Sequence, residues 1–257
     1  MTYLPIIQPR WQVPAGQIDG VTGVNKFGRC TDVDQALHDI WDIPGTATWV
    51  APTAARIHDI ASTSASDDGA PVGVGARTIR VWGLTAWGAA EVSEDIIMNG
   101  VGNVPTQALV IIHRMQVLTK GASGPNVGTI TATAQVDGTV TAQINIGEGQ
   151  TQMAIYGVPS VRDAYLSCWY ASQTKTGGAA ASVDMRLLVN PEPDAELLGF
   201  LVKGTAGMIS TGSTRFQHFY DPYFKVPGPA IIKVDAIASA NDNDLSAGFD
   251  LYLVDNT

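Results

Sequence analysis

Residues 240–250, ANDNDLSAGFD, hold the densest run of hard oxygen donors in the chain. Asn241, Asp242, Asn243 and Asp244 are groups that calcium can use. Asp242, Asp244 and Ser246 have the alternate spacing that opens an EF-hand loop. The pattern then breaks. Ala247 stands where that loop needs glycine, and Leu253 where it needs a bidentate glutamate. The segment therefore reads as an Asx-rich hairpin turn whose side chains satisfy local backbone amides. Calcium binding is the alternative.

The remaining chemistry-bearing residues form no constellation. His38, His58, His113 and His218 sit singly in unrelated segments. HExxH and the G-x-S-x-G elbow do not occur. Without a GK dipeptide there is no phosphate-cradling P-loop. GVGART at 73–78 starts like a dinucleotide fingerprint but lacks the third glycine and a following helix, so it reads as a turn before a strand. Cys30 and Cys168 lie in different halves without CxxC spacing. They are expected as buried free thiols, a long-range disulfide being the alternative. Carboxylate pairs for glycoside cleavage are spatial and cannot be picked from spacing. Among Trp11, Trp41, Trp49, Trp82, Trp87 and Trp169, the pair flanking a turn, Trp82 and Trp87, is expected to be the most exposed. That exposure would suit binding or an inter-subunit contact. No catalytic, cofactor-binding or metal-binding residue is assigned, and a non-enzymatic protein is expected.

Charge agrees with that expectation. Fifteen Lys and Arg against 24 Asp and Glu give a net charge of −9. No basic stripe is present to neutralise phosphates, which disfavours nucleic-acid binding. Charged residues make up only 15% of the chain, against about 25% in ordinary globular proteins. Gly, Ala, Ser and Thr fill many of those places. A surface poor in long charged side chains loses less entropy on association. The most apolar stretch, 108–112, is far too short to span a bilayer. The start, MTYLPIIQPRW, lacks the basic and apolar regions of a secretory signal. A soluble, cytoplasmically made protein is expected, with no membrane partner.

Strands dominate the elements that would position these residues. TITATAQV at 129–136, DAYLSCWY at 163–170 and VDMRLLVN at 183–190 alternate apolar and polar residues between Gly-, Asn- and Thr-rich turns. This is the period of a half-buried strand. TIRVWGL at 78–84 and EVSEDIIM at 91–98 read as a hairpin joined by TAWGAA. ALVIIHRMQV at 108–117 reads as a strand buried on both faces. The expected fold is all-β: an antiparallel, jelly-roll-like β-sandwich, either one large or two small ones. Three segments are expected. Residues 1–26, with Pro5, Pro9 and Pro14, form an extended N-terminal arm, lying on a neighbour or on its own domain. Residues 27–120 form a β-rich N-terminal domain, and residues 121–257 a C-terminal sandwich beyond the loop at 119–128. One helix is expected, over 31–42, with Val33, Leu37, Ile40 and Trp41 near helical spacing and Pro44–Gly45 ending it.

KFGRCTDVDQALHDIWD, GARTIRVWGLTAWGAAEVSEDIIMNG, NIGEGQTQMAIYGVP and FYDPYFKVPGPAIIKVDAIASANDND together resemble a group of structural proteins of tailed bacteriophages. The resemblance covers most of residues 26–257 and carries no catalytic residues. It implies a β-rich, oligomeric virion component, and an extended rather than helical 31–45. The expectation is a capsid decoration (cement) protein on the outer capsid surface. It would bind the major capsid protein lattice and neighbouring copies of itself, as a homotrimer. A tail, neck or fibre component touching the host surface is the alternative.

Overall fold

The structure is a computed structural model, describing residues 9–43, 48–175, 179–195, 198–210 and 212–256. It is all-β. A single turn of helix, α1 (Pro9–Gln12), precedes β1 (Val21–Val33), β2 (His38–Asp39), β3 (His58–Ser62), β4 (Ala76–Leu84), β5 (Val92–Ile97), β6 (Val104–Pro105), β7 (Ile111–Lys120), β8 (Ile130–Ala134) and β9 (Val140–Ile144). Then come β10 (Ile155–Val158), β11 (Arg162–Lys175), β12 (Ala181–Asn190), β13 (Leu201–Ser210), β14 (Ser213–Pro227), β15 (Ala230–Ala238) and β16 (Asn243–Asp255).

These strands build two cores. The larger sandwich stacks the sheet β1-β16-β11-β14 on the sheet β10-β15-β12-β13, to which β2 is added beside β15. Ile232, Val234, Leu187, Trp169, Phe249 and Leu251 fill the space between them. The smaller sandwich sets β6-β3-β8-β9 against β5-β4-β7, around Ile60, Ile79, Met115, Ile130 and Ile144. The smaller unit is nested. Its strands lie between β2 and β10, while β1 and β2 pair with β16 and β15 of the larger one. Truncating a wholly buried aromatic such as Phe249 to alanine costs about 3–5 kcal/mol.

The alternating texture produces these elements directly. In β8, Ile130, Ala132 and Ala134 point inward, while Thr131 and Thr133 are half-buried. β4 and β5 form the expected hairpin, with Ile79 opposite Ile96 and Arg80 opposite Asp95. β7 is buried on both faces only at Ile111–His113, and its far end is open. β15 is buried almost throughout because both of its faces are covered: Ile232 and Val234 face the larger core, Ile231 the smaller one.

Three expectations need correction. No helix occupies 31–42. Residues through Val33 finish β1, and His38–Asp39 form β2. Between them the Asp34 carboxylate accepts from the Ala36 amide and pairs with His38, a side-chain bond that competes with helix formation. Val33, Ile40 and Trp41 are buried, the first at the end of β1, the second in the bend after β2 and the third in a bridge to Met153. Pro44 and Gly45 lie outside the described residues.

The chain is not divided in sequence at 120. The loop at 121–128 joins β7 to β8 inside the smaller core, because β8 finds its partner in β3, far upstream. The N-terminal segment is not an arm throughout. Residues 1–8 lie outside the described residues, Val13 is buried, and residues 21–26 are already strand paired with β16. Among the described residues, no helix is long and apolar enough to cross a membrane.

Candidate functional site

β1 runs along the seam between the two sandwiches. Lys26, Gly28 and Cys30 share one face of β1 and are all buried. Gly28 is needed there: a Cβ would stand 2.2 Å from the Ile40 carbonyl oxygen and 2.5 Å from the Ala154 amide. Those are the points at which the chain leaves and rejoins the larger unit. Two residues earlier, the same face carries Lys26 towards β7 of the smaller unit. Its ammonium donates to the carbonyl oxygen of His113.

A cavity of about 420 Å³ opens at this seam, with Lys26, Trp82, Glu91, His113, Arg114 and Tyr156 among its walls. Glu91 Oε2 receives His113 Nε2 at 2.7 Å and the Tyr156 hydroxyl at 3.0 Å. The His113 and Tyr156 rings lie 4.5 Å apart. Arg114 donates to the Asn25 carbonyl oxygen at 3.3 Å, and its guanidinium lies 5.8 Å from the Trp82 ring centroid. Among the described residues, neither Lys26 nor Arg114 has a carboxylate within ion-pair distance. Arg162, also at the cavity, pairs with Asp255 at 2.8 Å.

Burial sets the protonation of this cluster. It lowers the Lys26 ammonium to about 7; Arg114 adds to the effect and Glu91 opposes it. Burial also lowers His113, against the pull of Glu91, and raises the Tyr156 hydroxyl well above its usual range. For Glu91, burial alone would raise the carboxyl, but the bonds from His113 and Tyr156 outweigh it and hold it low. The group is a cation-lined pocket with its carboxylate already committed to two donors.

The residues singled out by sequence are dispersed. In the Asx-rich loop, Asn243 is fully buried; its amide donates to the carbonyls of Val33, Ala240 and Asn241 and accepts from Gln173. Arg29 grips the Asp244 carboxylate through two bonds. Asp242 lies in the left-handed region at φ 63°, and the side-chain oxygens of Asn243 and Asp244 are taken by Gln173 on β11 and Arg29 on β1. His38, His58 and His113 are buried in separate places, and His218 is exposed on β14. Trp87 is buried in the smaller core, contrary to expectation, and Trp82 is half-buried. Trp11 is the exposed tryptophan. Cys30 and Cys168 are free and buried. Burial raises both thiols, Cys168 to about 12 with help from Asp250.

Asp67 was not legible as a special residue. It is wholly buried and accepts from the Ser62 hydroxyl and from the amides of Ala76, Val127 and Gly128, at 2.6–2.8 Å. It ties the turn before β4 to the loop before β8. Residues 73–75 of GVGART form that turn, and 76–78 open β4.

A different kind of feature lies on the opposite flank of the larger sandwich. β13 and β14 are consecutive, and each is the outer strand of its sheet. Both sheets therefore end on the same side. Ile209 on β13 is 73% exposed, and Phe219 on β14 is 56% exposed. Phe216, Tyr220 and Phe224 turn the other way and pack on the core. Residues 220–223 of β14 bulge out of register with β11, leaving 213–219 as the regular edge.

No family model and no curated protein matches the chain. Among solved structures it is similar to a chain of infectious bursal disease virus Gx strain, with 10% identity, 91% of this chain and 71% of that chain covered, and a TM-score of 0.26. It is also similar to the infectious bursal disease virus VP2 subviral particle, with 11% identity, coverages of 92% and 72%, and a TM-score of 0.24. A third is the CBM22-1-CBM22-2 tandem domain of Paenibacillus barcinonensis Xyn10C, with 8% identity, coverages of 88% and 93%, and a TM-score of 0.23. Likenesses this distant assign neither family nor activity.

Proposed function

We infer that the protein is a non-enzymatic structural component of a tailed-phage virion: a decoration protein seated on the outer surface of the major capsid lattice and in contact with copies of itself. The observation that carries this reading is the open flank of the larger sandwich. Two adjacent edge strands end there, bearing exposed Ile209 and Phe219. An unpaired edge offers a row of backbone donors and acceptors to another chain. Ile209 stands on the outer face of one sheet and Phe219 on the outer face of the other, where it borders Arg10, Val13 and Cys168; each supplies apolar area to bury on association. The bulge at 220–223 and the charge of Arg215 limit that pairing, which suits a closed oligomer such as a trimer better than an open fibre. The net charge of −9 favours a position away from packaged DNA. The sequence resemblance to phage structural proteins supports the same reading.

Quantitative mass spectrometry and immunogold labelling of purified virions test it. Hundreds of copies distributed over the capsid are expected. A few copies confined to the tail would overturn the capsid reading and favour the tail component.

A further inference from the structure

We propose that the seam cavity is a binding site for a small hydroxylated carboxylate of the uronic-acid class, held by Lys26 and Arg114. The site is independent of the β13–β14 flank and lies on a different side of the larger sandwich.

Lys26 and Arg114 hold unspent donors at the cavity. An ammonium carries three N–H donors and a guanidinium five. Lys26 uses one, on the His113 carbonyl oxygen. Arg114 uses one, on the Asn25 carbonyl oxygen. Neither has a carboxylate partner among the described residues, although the chain carries more acids than bases. A buried cation without a counter-ion is costly, and Lys26 is only 4% exposed. An anion in the cavity would relieve that cost and take up the spare donors.

The charges facing the cavity favour an anion. They are Lys26 on β1, Glu91 just ahead of β5, His113 and Arg114 on β7, Tyr156 on β10 and Arg162 on β11. Arg162 is neutralised by Asp255, and Glu91 is occupied by two donors. Lys26 and Arg114 together outweigh the one carboxylate.

Size and lining refine the ligand. A space of about 420 Å³ falls within the range of small-molecule pockets, about 300–1,000 Å³. The Thr22 hydroxyl, which accepts from Arg162, keeps its own hydrogen to donate, and the Tyr156 hydroxyl oxygen, which donates to Glu91, can still accept; both are partners for hydroxyl groups, while Trp82 and Leu253 supply apolar wall. A carboxylate with several hydroxyls uses both sets. A bare carboxylate uses one, and a neutral sugar leaves the cations unpaired.

Binding should also depend on pH. The ammonium of the empty site titrates at about 7. Affinity for a carboxylate therefore falls as pH rises through that value, and binding near pH 7 draws in a proton.

Isothermal titration of the full chain with D-glucuronate, D-glucose and acetate, at fixed ionic strength, tests the proposal. Glucuronate should bind saturably at pH 6 and about tenfold more weakly at pH 8.5, where the ammonium is largely discharged. Glucose and acetate should bind at least tenfold more weakly than glucuronate. Arg114→Gln should weaken glucuronate by about tenfold or more, as expected for the loss of a charged hydrogen-bond donor. Its side chain is partly exposed, so folding is retained, and circular dichroism checks this. Lys26→Met should abolish the pH dependence. No saturable glucuronate binding, equal binding of glucose or acetate, or unchanged affinity in Arg114→Gln would each overturn the proposal.

Discussion

Lys233 Nζ on β15 lies 2.6 Å from Asp39 Oδ1 on β2, with the two side chains only 7% and 1% exposed. The pair fastens the short strand that leads into the nested unit to the middle of the larger sandwich. The Asp39 carboxylate also accepts from the Trp49 amide at 2.9 Å, and the ammonium lies 4.4 Å from the Phe200 ring centroid. Removing one partner strands a buried charge. Lys233→Met is therefore expected to cost about 3–5 kcal/mol. The double variant with Asp39→Leu should recover much of that loss. Urea denaturation of the two singles and the double checks this by a mutant cycle.

Gly28 is expected to tolerate no side chain. Its missing Cβ is what lets Ile40 and Ala154 cross β1. Because the clash is with backbone, Gly28→Ala cannot be relieved by a rotamer change. A loss of more than about 3 kcal/mol is expected, beyond the typical range for overpacking. Thermal denaturation would read it.

Lys26 gives stability a pH signature. Its folded value of about 7 lies below the ordinary 10.5. Between those values the unfolded chain holds a proton that the folded chain has released, so this residue makes stability rise with pH across that window. Each unit is worth about 1.4 kcal/mol, and the full span about 5 kcal/mol. Lys26→Met should be more stable than the parent at pH 6.5, by about 1–4 kcal/mol. The difference should shrink towards pH 9.5. Chemical denaturation at the two pH values measures it.

Asp67→Ala should be among the most damaging polar substitutions. It removes the acceptor of three backbone amides and a hydroxyl, all in a site closed to water. A loss of about 3–5 kcal/mol is expected. Hydrogen exchange should localise the loosening to the turn at 73–75, the start of β4 and the 121–128 loop.

Much of the fold was legible in the residues because strand alternation is a local signal. Ile130, Ala132 and Ala134 announce the inward face of β8, and Ile79 and Val81 that of β4. The nesting was not legible. It rests on β1 pairing with β16 at the far end of the chain, and no local pattern records a partner so distant. Helical spacing misled at 31–42 because Val33 and Ile40 are buried in the larger core and Trp41 in the smaller one, each from extended chain rather than from one face of a helix. Trp87 misled because residues beside a turn are usually exposed, and here its side chain packs into the smaller core while its carbonyl oxygen accepts from the Ser160 amide. The cavity was silent as well. Lys26 is one lysine in a mixed stretch, VTGVNKFGRCTDV, and its only signal is a shared strand face with Gly28 and Cys30. That parity marks an inward position, which is informative once β1 is known to be a strand.

The central claim is that this chain assembles through the open flank of β13 and β14. Sedimentation velocity of the purified protein tests it most directly, alongside Ile209→Asp and Phe219→Asp. Both side chains are more than half exposed, so each variant should keep the fold, with stability changed by less than about 1 kcal/mol. The parent is expected to sediment as a closed oligomer, a trimer, with both variants shifted to monomer. A parent that stays monomeric at every concentration, or variants that assemble as the parent does, would contradict the account.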